Sequence, residues 1–172
     1  MFSGKTARLI ERLAAASSRG LRTTAFKHVL DTRYDSCHLA THDGRRHEAV
    51  AVGDAGEIVQ RSAACDVIGI DEAQFFGVAL IAVCTTLRDG GQQVIVAGID
   101  HDAWGHPFTP LPELKELADA VEVLHVPCRV CGRPARYSQR MVPVRDANMV
   151  GGPAEYEPRC AVCFQPLPPE QR

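Results

Sequence analysis

Three features of this 172-residue sequence predict an α/β fold, a parallel sheet with helices on both faces plus a small zinc-binding β/loop domain. Up to residue 126, short β-branched apolar runs alternate with stretches of helical period. Ser3-Gly4-Lys5-Thr6 stands directly before the first helical stretch. Beyond it, prolines 127, 134, 143, 153, 158, 166, 168 and 169 punctuate a remainder that has two Cys-x2-Cys pairs and no long helical period. The predicted division is therefore 1–126, a nucleotide-binding unit, and 127–172, a unit held by its cysteines.

The elements follow in order. Thr6 to Ser18 is predicted as a helix, because Leu9, Ile10, Leu13 and Ala14 fall on one face. Thr23 to Val29 and Ala49 to Val52 are predicted strands. Cys65 to Ile70 is a β-branched run ending at Asp71-Glu72, the pattern of a buried parallel strand. Gly77 to Leu87 is a helix closed by Asp89-Gly90-Gly91. Gln93 to Ile99 is a second buried strand, Pro112 to Ala118 a short helix and Val121 to Val126 a further strand. In the remainder, Arg136 to Val144 is expected to form a hairpin strand and Pro166 to Arg172 a frayed tail. In such alternating folds ligands gather beyond the carboxyl ends of the strands.

Composition narrows the function. With 19 basic against 21 acidic side chains and a net charge of -2, the chain does not grip nucleic acid or anionic lipid by bulk charge. The longest apolar run, Val78 to Cys84, falls far short of the ~18 residues of a spanning helix. Arg8, Glu11 and Arg12 near the start, without an apolar stretch, argue against a secretory signal. A soluble, cytoplasmic protein with no membrane and no nucleic-acid partner is expected.

Three groups of residues carry chemistry. Ser3-Gly4-Lys5-Thr6 matches the last part of a phosphate-binding loop: amides at a helix start cradle anionic oxygens and Gly4 permits close approach. Lys5 would reach the β/γ-phosphates and Thr6 would hold Mg²⁺. The plainer alternative is a helix cap. Asp71-Glu72 is the natural companion, one carboxylate organising Mg²⁺ while the other polarises a nucleophile; an acidic strand end is the alternative. Cys128, Cys131, Cys160 and Cys163 form two pairs 28 residues apart. Four thiolates make a closed tetrahedral zinc site, structural rather than catalytic. Such a site supplies roughly 10–16 kcal/mol of apparent binding energy to a small appendage. A redox pair or free thiols are the alternatives. Cys37, Cys65 and Cys84 are scattered. Asp31-Thr32-Arg33-Tyr34, taken alone, is a solvated turn, as is Thr41-His42-Asp43-Gly44, and none of the seven histidines has metal spacing.

Taken together, these motifs resemble the zinc-containing, tetrameric thymidine kinases of cells and bacteria. The match runs through Met1 to Thr6, Asp31 to Tyr34, Asp71-Glu72-Ala73-Gln74-Phe75-Phe76, Gly98-Ile99-Asp100 with Pro107-Phe108, both cysteine pairs, and Val150-Gly151-Gly152 with Tyr156. The resemblance implies a P-loop, RecA-like sheet and ATP-dependent phosphorylation of the thymidine 5′-hydroxyl to dTMP. Glu72 matches the general base. Ser3, Gly4, Lys5, Thr6, Asp31, Arg33, Asp71 and Gln74 match the ATP and Mg²⁺ site. Met1, Phe75, Ile99 and Phe108 match the walls of the thymine pocket, and Ser138 stands near the base methyl where some members have Thr. Val150, Gly151, Gly152 and Tyr156 match a lasso loop that reads the base edge. A homotetramer and feedback inhibition by dTTP are implied as well.

Two departures accompany the match. Ala103, followed by Trp104, stands where the family usually has an aromatic residue. The Gly and the strand that complete the phosphate loop would precede Met1. The native product is therefore expected to begin about 10–15 residues upstream, or the chain to be a truncated form. The rival readings are a helicase-like ATPase, from the Asp71-Glu72-Ala73-Gln74 box, and a non-catalytic zinc-ribbon module on a degenerate nucleotide fold.

Overall fold

The computed structural model describes residues 2–31, 37–41, 44–144 and 151–171. Its elements in chain order are α1 (Lys5–Ser17), β1 (Thr23–His28), β2 (His38–Ala40), β3 (Arg46–Glu48), β4 (Val50–Val52), α2 (Gly56–Ser62), β5 (Val67–Ile70), a 3-10 turn (Ala73–Phe76), α3 (Ala79–Asp89), β6 (Gln93–Val96), α4 (Leu111–Leu117), β7 (Tyr137–Arg140), β8 (Tyr156–Arg159) and a 3-10 turn (Pro169–Gln171).

The parallel sheet has the order β4-β1-β5-β6. Strict alternation of side chains sends Ala25 and Val67 to one face, where Leu9, Ile10, Leu13 and Ala16 of α1 cover them. Phe26, Ile68 and Ile70 face the other way, onto Ile58 of α2, Leu80, Val83 and Leu87 of α3, and Leu111 and Leu114 of α4. Gly69 lies under α1, and a Cβ there would meet Leu13 Cδ1 at 2.7 Å, so α1 sits on the strand as closely as a glycine allows. The register Phe26↔Ile70 brings the ends of β1 and β5 level, and the Asp71 amide donates to the Phe26 carbonyl at 2.9 Å.

Four expectations change. Gln93 to Ile99, expected as a second buried strand, shortens to β6, which stands at the sheet edge with its residues partly exposed. Val121 to Val126 is irregular rather than a strand. It faces the outer edge of β6 across a cavity of ≈ 760 Å³ lined by Gln93–Gly98 on one side and 117–124 on the other. Among the described residues no ladder joins the two segments, since β6 pairs with β5 on its other edge, and a strand exists only where a ladder partner completes its hydrogen bonds. Val121 and Val123 are consequently about half exposed. Arg136 to Val144 shortens to β7, whose antiparallel partner is β8. Pro166 to Arg172, expected to fray, instead turns at Pro169–Gln171, and the Val144 amide donates to the Gln171 carbonyl at 3.1 Å. The β2–β3 hairpin and α2 are too short for their periods to register in the sequence.

Candidate active site

The start of α1 is shaped by Gly4, whose φ of +79° is left-handed backbone that favours glycine. No acidic side chain occupies the first turn. Its amides and Lys5 therefore offer positive charge to an anion. One residue on, the Thr6 hydroxyl donates to Asp71 Oδ2 at 2.7 Å, across 65 residues of sequence. That single bond joins the loop ahead of the first helix to the acidic tip of β5.

Asp71 is 3 % exposed. Burial, then the neighbouring Glu72 charge, pushes its carboxyl up to about 6, while Lys5 and the Thr6 hydroxyl pull the other way. Hard oxygens from Asp71 and Thr6 suit Mg²⁺. Glu72 is buried and adopts φ 51°, ψ 47°, unusual for a non-glycine residue and a local strain of the kind that gathers at reactive sites. Its amide donates to Asp71 Oδ1 at 2.9 Å, and its carboxylate accepts from the Gln74 side-chain amide. Gln74 Oε1 in turn accepts from the Ile99 amide at 3.3 Å. One side chain thus spans from Glu72 to the strand-end segment at Ile99, a tether that no sequence pattern announces.

Asp31 is buried and ion-paired with Lys27 at 3.7 Å, itself only 2 % exposed. Phe75 is half-buried beside His28, and Phe76 packs edge-on against the same ring at 4.9 Å. The Phe108 amide donates to the Asp100 carbonyl at 2.9 Å, closing the segment that begins at Ile99. Ser3, Lys5, Ile99 and Ser138 line one continuous cavity, the one along the β6 edge, which neither Asp71 nor Glu72 lines. Ser138 is buried in β7. Gly151 has no room for a Cβ, which would lie 2.9 Å from the Tyr156 ring. The Gly152 amide donates to Glu155 Oε2 at 2.7 Å. The Tyr156 hydroxyl accepts from Arg140 of β7 at 2.8 Å. Met1, Arg33 and Val150 lie outside the described residues, as do His42 and Asp43.

The four paired cysteines converge, their sulfurs all within 4.8 Å of one another. Zinc–sulfur bonds of about 2.3 Å place tetrahedral sulfurs about 3.8 Å apart, so the cluster fits the ion. Their acidities diverge as crowded thiols must. For Cys128 burial opposes ionisation, but amides from Cys160, Cys131 and Val130 outweigh it and bring the thiol down to about 6. Cys163 is pushed up to about 12, first by its hydrogen bond with Cys131 and then by burial. Four thiolates cannot share that space without a cation.

The sequence profile of the thymidine kinase family matches residues 1–164. The chain belongs to the thymidine kinase family. Its relatives include a thymidine kinase of Rhodothermus sp. (strain ITI 518), 42% identical over 98% of this chain and 79% of that protein. A thymidine kinase of Bacteroides fragilis is 40% identical over 100% of this chain and 86% of its own length. One of Coprothermobacter proteolyticus is 43% identical over 93% and 84%. Among the described residues, no helix is long and apolar enough to cross a membrane.

Proposed function

We propose that the chain transfers the γ-phosphoryl group of ATP to the 5′-hydroxyl of thymidine, giving dTMP for nucleotide salvage in the cytoplasm. The observation that carries this reading is the 2.7 Å bond from Thr6 to Asp71, with the strained Glu72 next in sequence. Mg²⁺ accompanying ATP neutralises phosphate charge when bound. The amides of Ser3 to Thr6 hold the triphosphate, and the Lys5 ammonium offsets charge on the transferring group. Asp71 and Thr6 would hold the ion through their oxygens, and Asp31 and Arg33 would organise its surroundings. Glu72 accepts the 5′-hydroxyl proton, and Gln74 fixes its carboxylate relative to Ile99. In a loose phosphoryl-transfer transition state the proton leaves late, so position matters more than basicity.

Met1, Phe75, Ile99 and Phe108 wall the base, with Ser138 near its methyl group. The segment Val150 to Tyr156 closes over it, with zinc at the following cysteines anchoring its far end. The working assembly is a homotetramer, and dTTP competes with thymidine. Residues 1–126 form the kinase unit and 127–172 the zinc unit. Transfer of labelled γ-phosphate to a panel of nucleosides tests the reading. Thymidine-dependent product supports it; ATP turnover stimulated by nucleic acid instead, or by neither, overturns it.

A further inference from the structure

Three rings lie in a row where the two units meet. Phe164, the residue after the last cysteine of the metal cluster, stacks on Tyr137 with centroids 4.4 Å apart and planes 22° apart. Tyr137 meets His101 edge-on at 5.0 Å. His101 opens a closed loop, bridged to Pro107 as an isolated antiparallel pair. Inside it, Asp102 Oδ1 accepts from the amides of Trp104 at 2.8 Å and His106 at 2.9 Å. The tip is Gly105, with a φ of +87°, and a Cβ there would lie 2.9 Å from the Phe164 ring. Phe164 therefore touches the loop twice, directly at its tip and through Tyr137 at its base. The same loop carries Ala103, 93–99 leads into it, and Phe108 follows it.

We propose that Phe164 is a positioning residue for the nucleoside pocket: it seats the 101–107 loop on the four-cysteine cluster, so that loop and metal site move as one body. The inference rests on the thymidine kinase reading for the identity of the nucleoside. The seating itself is independent of it. The ring stack adds an edge-and-face preference to simple burial, and an aliphatic side chain at 164 keeps apolar cover while losing that preference. The loop then loosens over the base, although the phosphate end of the site, tied by Thr6 and Asp71, stays as it was.

Trp104 is the one tryptophan of the chain and sits inside this loop, so its fluorescence reports on the loop alone. The experiment compares zinc-loaded wild type with Phe164→Leu, Phe164→Tyr and Tyr137→Leu. It measures acrylamide quenching of Trp104, thymidine and ATP affinity by calorimetry, and zinc per chain. For Phe164→Leu the expected result is retained zinc, faster quenching and thymidine binding weaker by about three- to tenfold, with ATP affinity unchanged. Phe164→Tyr restores wild-type values, and Tyr137→Leu reproduces the defect if Phe164→Leu does not fold. Chelation of zinc from the wild type also raises quenching. Wild-type quenching in Phe164→Leu, or after complete zinc removal, overturns the proposal. So does loss of zinc from Phe164→Leu, which would make the ring part of the metal site only. If wild type binds no thymidine, the functional reading fails while the quenching comparison still decides the seating.

Discussion

Gly69→Ala probes how α1 is set on the sheet, and with it the distance between Thr6 and Asp71. The added Cβ would stand 2.7 Å from Leu13 Cδ1, 3.1 Å from Leu9 Cδ1 and 3.3 Å from Leu13 Cδ2. Ordinary carbon contacts lie at about 3.5–4.0 Å, so α1 must rise by about 1 Å or Leu13 must leave its rotamer. Overpacking of this kind costs about 1–3 kcal/mol. For a chain of this size, each kcal/mol lowers Tm by about 2–4 °C, which gives a fall of about 4–8 °C near the middle of that range. Asp71 lies two residues beyond Gly69 on the same face, and Thr6 lies on the helix being lifted. The 2.7 Å bond between them therefore lengthens, and ATP affinity falls along with stability. The assay is calorimetric Tm with ATP titration on Gly69→Ala, Leu13→Val and the double variant. Shortening Leu13 removes two of the three crowding δ-carbons and leaves Leu9 Cδ1, so the double variant should be more stable than the sum of the single effects by about 0.5–3 kcal/mol. An unchanged Tm in Gly69→Ala, or strict additivity, would refute the close seating of α1.

Other outcomes follow from the same geometry. Glu72→Gln should still bind ATP but lose phosphoryl transfer by about 10² or more, measured as single-turnover product formation; unchanged turnover removes Glu72 from the base role. Cys160→Ser should release zinc, read by metal analysis, and expose the lasso segment to proteolysis; full zinc occupancy would show a different ligand set. The pH dependence has a definite sign. Asp71 has its carboxyl raised in the fold from 3.8 to about 6, so the folded state binds more protons than the unfolded one between those values. The ligand-free protein should therefore lose stability as pH rises from about 4 through about 6, and Asp71→Asn should remove that slope in urea titrations. Inhibition by dTTP should be competitive with thymidine in steady-state kinetics, and a non-competitive pattern would place dTTP elsewhere.

Much of the fold follows from patterns that are local. The helical period of Leu9, Ile10 and Leu13 and the β-branched run ending at Ile70 each need only a buried face, and both form as expected. Elements that depend on a distant partner behave differently. Val121 to Val126 has the composition of a strand, yet no ladder forms, because the cavity separates it from the outer edge of β6. β8 takes its identity from β7 rather than from its own Tyr-Glu-Pro-Arg sequence. The site divides along the same line. Lysine, threonine and paired carboxylates announce themselves by residue type and order, as the four cysteines do by spacing. The Gln74 bridge from Glu72 to Ile99, the left-handed backbone of Glu72 and the Phe164 seat for Gly105 arise from tertiary contact. The crowding of Gly69 by Leu13 is of the same origin.

The central claim is that one triphosphate lies between Lys5, Thr6 and Asp71 with the nucleoside hydroxyl at Glu72. Its most direct test is a structure of the chain bound to an analogue that links adenosine to the thymidine 5′-oxygen through a phosphate chain. The account predicts phosphates against the amides of Gly4 to Thr6 and the bridging 5′-oxygen within hydrogen-bond reach of the Glu72 carboxylate. Phosphates bound elsewhere, or a thymidine end remote from Glu72, would contradict it.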